Sequence, residues 1–147
     1  MTVSTMVLAL DESEHAVRAT RWCADHAGAL GADVVVVHAL DITYVFGFGS
    51  PLALAPPPPP YSESRIEEVR DVIARDWCKP LADAGVSFRV VVDEGRPAEL
   101  VREAARRAQA DLVVCGRRGR GGVAEFFLGS VSHELSHHLD VPLVIVP

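Results

Sequence analysis

Cysteine is scarce in this chain of 147 residues. Cys23, Cys78 and Cys115 are odd in number and widely separated, which excludes a disulfide framework. They stand among apolar neighbours at positions that read as helix, helix and strand, and are expected to be buried structural thiols of a reducing compartment. No apolar run is long enough to span a bilayer, and the N-terminus lacks the basic-then-apolar layout of a secretory leader. The expected location is the cytoplasm, with no membrane partner. A lysine in a G-x4-G-K-[ST] arrangement is missing, and no carboxylate, Gln or His is evidently placed to orient an attacking water, so efficient phosphoryl transfer is not expected. The formal net charge of −6 opposes general nucleic-acid binding, because phosphate backbones repel an acidic surface. The one basic stretch, Arg117-Arg118-Gly119-Arg120-Gly121-Gly122, is short and has no interleaved aromatics, and an RNA-binding alternative rests on it alone.

The composition that remains, 49% hydrophobic and 23% charged, is that of a globular chain, and the length fits one domain over 1–147. Short valine-rich runs at Met6 to Leu10, Ala32 to Leu40, Val86 to Val92, Asp111 to Cys115 and Val141 to Val146 read as strands buried on both faces of a parallel sheet. Between them Ile66, Val69, Ile73, Trp77 and Leu81 recur at three- and four-residue steps. Leu100, Val101, Ala104, Ala105 and Ala108 form one apolar stripe opposite Glu99, Arg102, Glu103, Arg106 and Arg107. Ser13 can cap the first helix, Pro97 suits a first helical position, and Gly28, Gly31 and Gly85 lie near helix ends. Strands and helices therefore alternate, which predicts an open five-stranded parallel sheet with helices on both faces and ligands bound past the carboxyl ends of the strands.

The stretch Asp41 to Pro60 interrupts this alternation with Gly47, Gly49 and five consecutive prolines, through which neither helix nor ladder can pass. It reads as a semi-rigid surface linker. A functional lid in which Tyr44, Phe46 or Phe48 partly covers a bound ligand is the alternative.

The most informative segment follows the fourth strand. Gly116-Arg117-Arg118-Gly119, nine residues, then Gly129-Ser130 lead from a strand into a helix. Glycines allow positive φ and close approach of main chain to an anion, and the amides and dipole of a helix start attract negative charge. This G-x2-G-x9-G-S spacing resembles the nucleotide signature of the universal stress protein family, in its ATP-binding branch. Three more stations resemble that family in the right order: Val7-Leu8-Ala9-Leu10-Asp11-Glu12-Ser13, Glu94-Gly95-Arg96-Pro97-Ala98, and Val141-Pro142-Leu143-Val144-Ile145-Val146.

The resemblance implies a Rossmann-like, adenine nucleotide alpha hydrolase-like sheet of strand order 3-2-1-4-5. It implies that Asp11 faces the base or ribose edge, flanked by Leu10, and that the main chain at Ala39 meets adenine. Gly116 and Arg117 would lie beside the ribose and first phosphate, Gly119 under the phosphates, and Gly129, Ser130 and Val131 at the terminal phosphates. ATP, or ADP or AMP, is the implied cofactor, with Mg²⁺ held mainly by phosphates and water. The implied role is a nucleotide-responsive stress or regulatory protein with at most slow ATPase. A homodimer paired through the last strand, Val141 to Val146, is implied as well. Two other readings compete: a protein-interaction module without nucleotide, and a zinc hydrolase. The latter comes from His133-Glu134-Leu135-Ser136-His137, which spells H-E-x-x-H. At 100° per residue, His133 and His137 lie nearly opposite the stripe Val131, Leu135, Leu139, so they are expected to face water, where they could bind a metal incidentally.

Overall fold

Five valine-rich strands pair wholly in parallel in the computed structural model, which describes residues 2–40, 59–119 and 128–147. They are β1 (Thr5–Ala9), β2 (Asp33–Leu40), β3 (Phe88–Glu94), β4 (Leu112–Gly116) and β5 (Leu143–Val146), in the spatial order β3-β2-β1-β4-β5. The helices are α1 (Glu14–Leu30), α2 (Glu63–Val72), α3 (Lys79–Asp83), α4 (Pro97–Arg107) and α5 (Ser130–His138). Among the described residues no helix is long and apolar enough to cross a membrane. The expectations for Tyr44, Phe46 and Phe48, and for Arg120, Gly121 and Gly122, lie outside the described residues.

Successive residues of a strand point to opposite faces, and β1 divides its side chains accordingly. Met6 and Leu8 enter a layer with Ala16, Ala19, Cys23 and Ala27 of α1 and with Ile73 and Leu81. Val7 enters the opposite layer with Ala98, Val101 and Ala105 of α4 and Leu135 of α5. Small alanines let α1 lie close on the sheet, and each fully buried Val or Leu contributes about 1.5–3 kcal/mol by leaving water. The outer strand β3 departs from the expectation of burial on both faces: Arg89 and Asp93 are exposed there.

Helix boundaries follow local chemistry. Ser13 Oγ accepts the Ala16 N–H at 3.2 Å, capping α1, and Gly31 closes that helix at φ 67°, a conformation glycine adopts without strain. The stripe from Ile66 to Leu81 reads as one helix, but the chain breaks there. Pro80 has no N–H to give the preceding turn, and the Cys78 N–H reaches back five residues to the Ile73 carbonyl at 2.9 Å, making a π-helical turn over Ile73–Trp77. Cys78 therefore sits on a bend between two helices, not within one. The last strand starts at Leu143, later than expected, because Pro142 cannot donate to the ladder. Its carbonyl still accepts from Val113 N–H at 3.0 Å.

Candidate functional site

β1 and β4 are neighbours in register, with Ala9 beside Cys115, yet the chain leaves them toward opposite faces of the sheet. After β1 it enters α1 on one face; after β4 it runs to α5 on the other. A crevice opens where the two paths diverge.

The β1 side is a self-bonded turn. Asp11 Oδ1 accepts the Ser13 N–H at 2.9 Å. Ser13 Oγ, while capping α1, also donates to the Arg118 carbonyl at 3.2 Å. The Asp-x-Ser turn thus fixes both the helix start and the facing loop.

The β4 side is shaped by crowding. None of Gly116, Gly119 and Gly129 has a positive φ, so of the two expected reasons for them, conformational freedom and close approach, the first does not apply. Space explains them. A Cβ at Gly116 would stand 2.7 Å from the carbonyl carbon and Cβ of His15, and one at Gly119 would stand 2.6 Å from Asp11 Oδ2. At Gly129 it would meet Arg118 Cα at 3.0 Å.

Gly129 is the N-cap of α5, and Ser130 its first helical residue. The Gly129 N–H, expected to face a phosphate, instead donates to the Arg117 carbonyl at 2.9 Å. Ser132 Oγ donates to that same carbonyl at 2.8 Å and is fully enclosed. The N–H groups of Ser130, Val131 and Ser132 have no acceptor among the described residues, so three amides and the helix dipole remain at the end of α5. Arg117 is anchored by its own N–H, which donates to the Val146 carbonyl at 2.7 Å. Its Nε is buried without a partner among the described residues, as is Nδ1 of His15.

Between these walls lies a cleft. Leu10, Asp11, Ala39, Gly116, Gly119 and Val131 line it; Arg117, Gly129 and Ser130 do not. Ala9, Ala16, Val37, Pro97, Val101, Cys115, Arg118 and Ser132 complete the lining, and sequence reasoning did not assign them. The turn Glu94 to Ala98 carried the one available signal, since Pro97 starts α4 at the cleft wall. The lining is apolar toward β2 and α4 and polar toward α5. Burial pushes the Cys115 thiol up to about 12, so it is an inert part of the floor. The cavity volume is about 60 Å³, well below the several hundred of a closed small-molecule pocket. A nucleotide-sized ligand must therefore use the open mouth or widen the cleft.

The H-E-x-x-H segment lies on α5. His133 and His137 are exposed on the outer side of α5, while Ser132 and Leu135 face inward. Glu134 is ion-paired with Arg96 at 3.1 Å. No group of three His, Cys, Asp or Glu residues is placed to hold a metal among the described residues, whereas a catalytic zinc uses three protein ligands beside its water.

Known proteins share this fold and sequence pattern. The sequence pattern of the Universal stress protein family matches residues 2–147. A protein of Thermus aquaticus described as "Universal stress protein in QAH/OAS sulfhydrylase 3'region" is 34% identical over 146 residues, covering 97% of each chain. Among solved structures, a universal stress protein in complex with cAMP superposes with a TM-score of 0.72 at 22% identity, covering 100% of this chain and 99% of the other. The universal stress protein from Archaeoglobus fulgidus in complex with dAMP gives 0.67 at 21% identity, covering 100% of both chains.

Proposed function

The chain belongs to the universal stress protein family, and from that premise we propose that it binds an adenine nucleotide, ATP, in the cleft between β1 and β4. It acts on this reading as a nucleotide-responsive stress or regulatory factor of the cytoplasm. The carrying observation is the crowding at Gly119, where any side chain would fill the space in front of Asp11, together with three amides at the start of α5 that have no acceptor among the described residues.

The residues present suit the parts of a nucleotide. The apolar wall of Val37, Ala39 and Val101 suits a base, and adenine is common to the cAMP and dAMP of the two solved relatives. Asp11, the only acidic residue lining the cleft among the described residues, suits a ribose hydroxyl or base edge. The amides of Ser130, Val131 and Ser132 suit phosphate oxygens, and Arg117 Nε, buried without a partner among the described residues, adds a donor of the right charge close by in the chain. Mg²⁺ would be held mainly by the phosphates and water.

The protein binds nucleotide rather than working as an efficient phosphoryl-transfer enzyme. Support comes from the missing P-loop lysine and from Asp11, whose Oδ1 is already engaged by the Ser13 amide. Among the described residues β5 has a strand neighbour on one side only, which supports a homodimer formed through Val141 to Val146. Net charge of −6 supports the absence of a nucleic-acid partner.

Calorimetry with ATP on the wild type and Gly119→Val tests the reading. The substitution is expected to weaken binding at least about tenfold, the equivalent of 1.4 kcal/mol. Equal affinity, or no binding by the wild type, overturns it.

A further inference from the structure

The two histidines of the H-E-x-x-H segment stand together on the surface of α5. Residues four apart on a helix are neighbours on one face, and the His133 and His137 rings lie with centroids 4.7 Å apart and planes 68° apart. Both are exposed. Neither ring hydrogen-bonds to a described residue, whereas the other polar groups of the segment are committed. Glu134 holds Arg96 at 3.1 Å, and His138 Nδ1–H donates to the Glu134 carbonyl at 3.0 Å. The helix that carries the pair is fixed at both ends, by the Gly129 carbonyl accepting from His133 N–H at 2.9 Å and by Leu139 N–H donating to Leu135 at 3.2 Å.

We propose that His133 and His137 form a two-histidine chelate for a divalent transition cation, binding Cu(II) most tightly, with water completing the coordination. Imidazole nitrogens bind such ions at about 2.0–2.1 Å, a length that a single ion can satisfy from two rings at this separation. Once one ring has captured the ion, the second is held beside it by the helix. Its high effective concentration makes the pair bind more tightly than either histidine alone. Neutral imidazole favours Cu, Ni and Zn over hard Mg²⁺, and Cu(II) heads the divalent series. The chelate spans a turn of α5, so the ion opposes unwinding of that helix and stabilises the folded chain by mass action. With two protein ligands it binds and stabilises; it supplies no hydrolytic activity.

The test uses the full chain without an affinity tag, titrated with Cu(II) and followed by electron paramagnetic resonance and calorimetry. One Cu(II) per chain is expected, with hyperfine structure from two imidazole nitrogens and a raised Tm. His133→Ala and His137→Ala should each weaken binding at least about tenfold, while His26→Ala and His138→Ala leave it unchanged. A spectrum with one imidazole nitrogen, or a His133→Ala/His137→Ala double variant that binds as tightly as wild type, overturns the proposal. The wild-type spectrum decides the matter even if a substitution frays α5.

Discussion

The Gly129 N–H and the Arg117 carbonyl meet at 2.9 Å, joining the two ends of the segment that leads from β4 into α5. This bond commits the Gly129 N–H within the chain. By closing the segment it aims the next three amides of α5 outward. A side chain at 129 would press on Arg118 Cα at 3.0 Å, on backbone that cannot swing aside. Gly129→Val is therefore expected to lower both Tm and ATP affinity, the latter at least about tenfold. Calorimetry beside thermal unfolding checks this, and a loss of affinity without loss of Tm would contradict the closure role.

Gly116 and Gly119 separate stability from binding. A methyl at 116 would meet the backbone of His15, at 2.7 Å from its carbonyl carbon and 2.8 Å from its oxygen. α1 must shift to admit it, at a cost of about 1–3 kcal/mol. Among the described residues a methyl at 119 meets the Asp11 side chain, its carboxylate oxygen at 2.6 Å, rather than backbone. Gly116→Ala is expected to lose several degrees of Tm, and Gly119→Ala to keep Tm but lose nucleotide affinity through the displaced Asp11. Denaturation and calorimetry on the same two variants would show the split; its reversal would mean that the roles are exchanged.

The sheet was readable because valine runs between helical stripes leave a parallel α/β architecture as the natural solution, and every strand appears within two residues of its expected start or end. Strand order was not readable from periodicity, which fixes the faces of an element but not its neighbours; the family resemblance supplied it. Pro80 marks the helix break plainly, yet the apolar spacing through Trp77 to Leu81 masked it. The site divides in the same way. Leu10, Asp11, Ala39, Gly116, Gly119 and Val131 line the cleft, but the reason for the glycines was hidden, since crowding by His15 and Asp11 depends on chain segments about a hundred residues away. Ser132 was missed because a serine inside a helix reads as surface, whereas this one is 1% exposed and bonded to Arg117.

Ser132→Ala accordingly tests a residue that motif reading omits. Its hydroxyl donates to the Arg117 carbonyl at 2.8 Å and contacts the Gly129 carbonyl at 3.0 Å. Removing it leaves the Arg117 carbonyl, among the described residues, with the Gly129 bond alone, and a buried bond of this type is worth about 0.5–1.5 kcal/mol. Urea denaturation should show a loss of that order with an unchanged m-value. An unaltered midpoint would show that Gly129 alone holds the closure.

All three cysteines should be silent toward thiol reagents. Burial pushes the thiols of Cys23, Cys78 and Cys115 up to about 12, so at pH 8 almost none is thiolate, the reactive form. Native protein with iodoacetamide is expected to remain unlabelled by intact mass, and to take three labels in denaturant. Rapid native labelling of Cys115 would show that the cleft floor opens to solvent.

Asp111 ties the starts of β1 and β4 together, and its charge should be visible in acid. Its Oδ2 accepts from Ser4 N–H at 2.8 Å, Ser4 Oγ at 2.9 Å and Thr5 N–H at 3.1 Å. The Ser4 amide first, then its hydroxyl and the Thr5 amide, holds the carboxyl below the usual aspartate range. A carboxylate with a depressed folded pKa adds stability that is fully present above its unfolded value, near 3.9. That stability disappears as pH falls through the lower folded value. Asp111→Asn should therefore melt below wild type at pH 7, and the gap should narrow as pH drops below about 4. Asp76 and Glu103, whose pKa values are lowered by Arg75 and by Arg107 with Arg106, titrate in the same direction but are present in both proteins, so they cancel in the difference. A gap that stays constant from neutral pH to below 4 would assign the effect to shape rather than to charge.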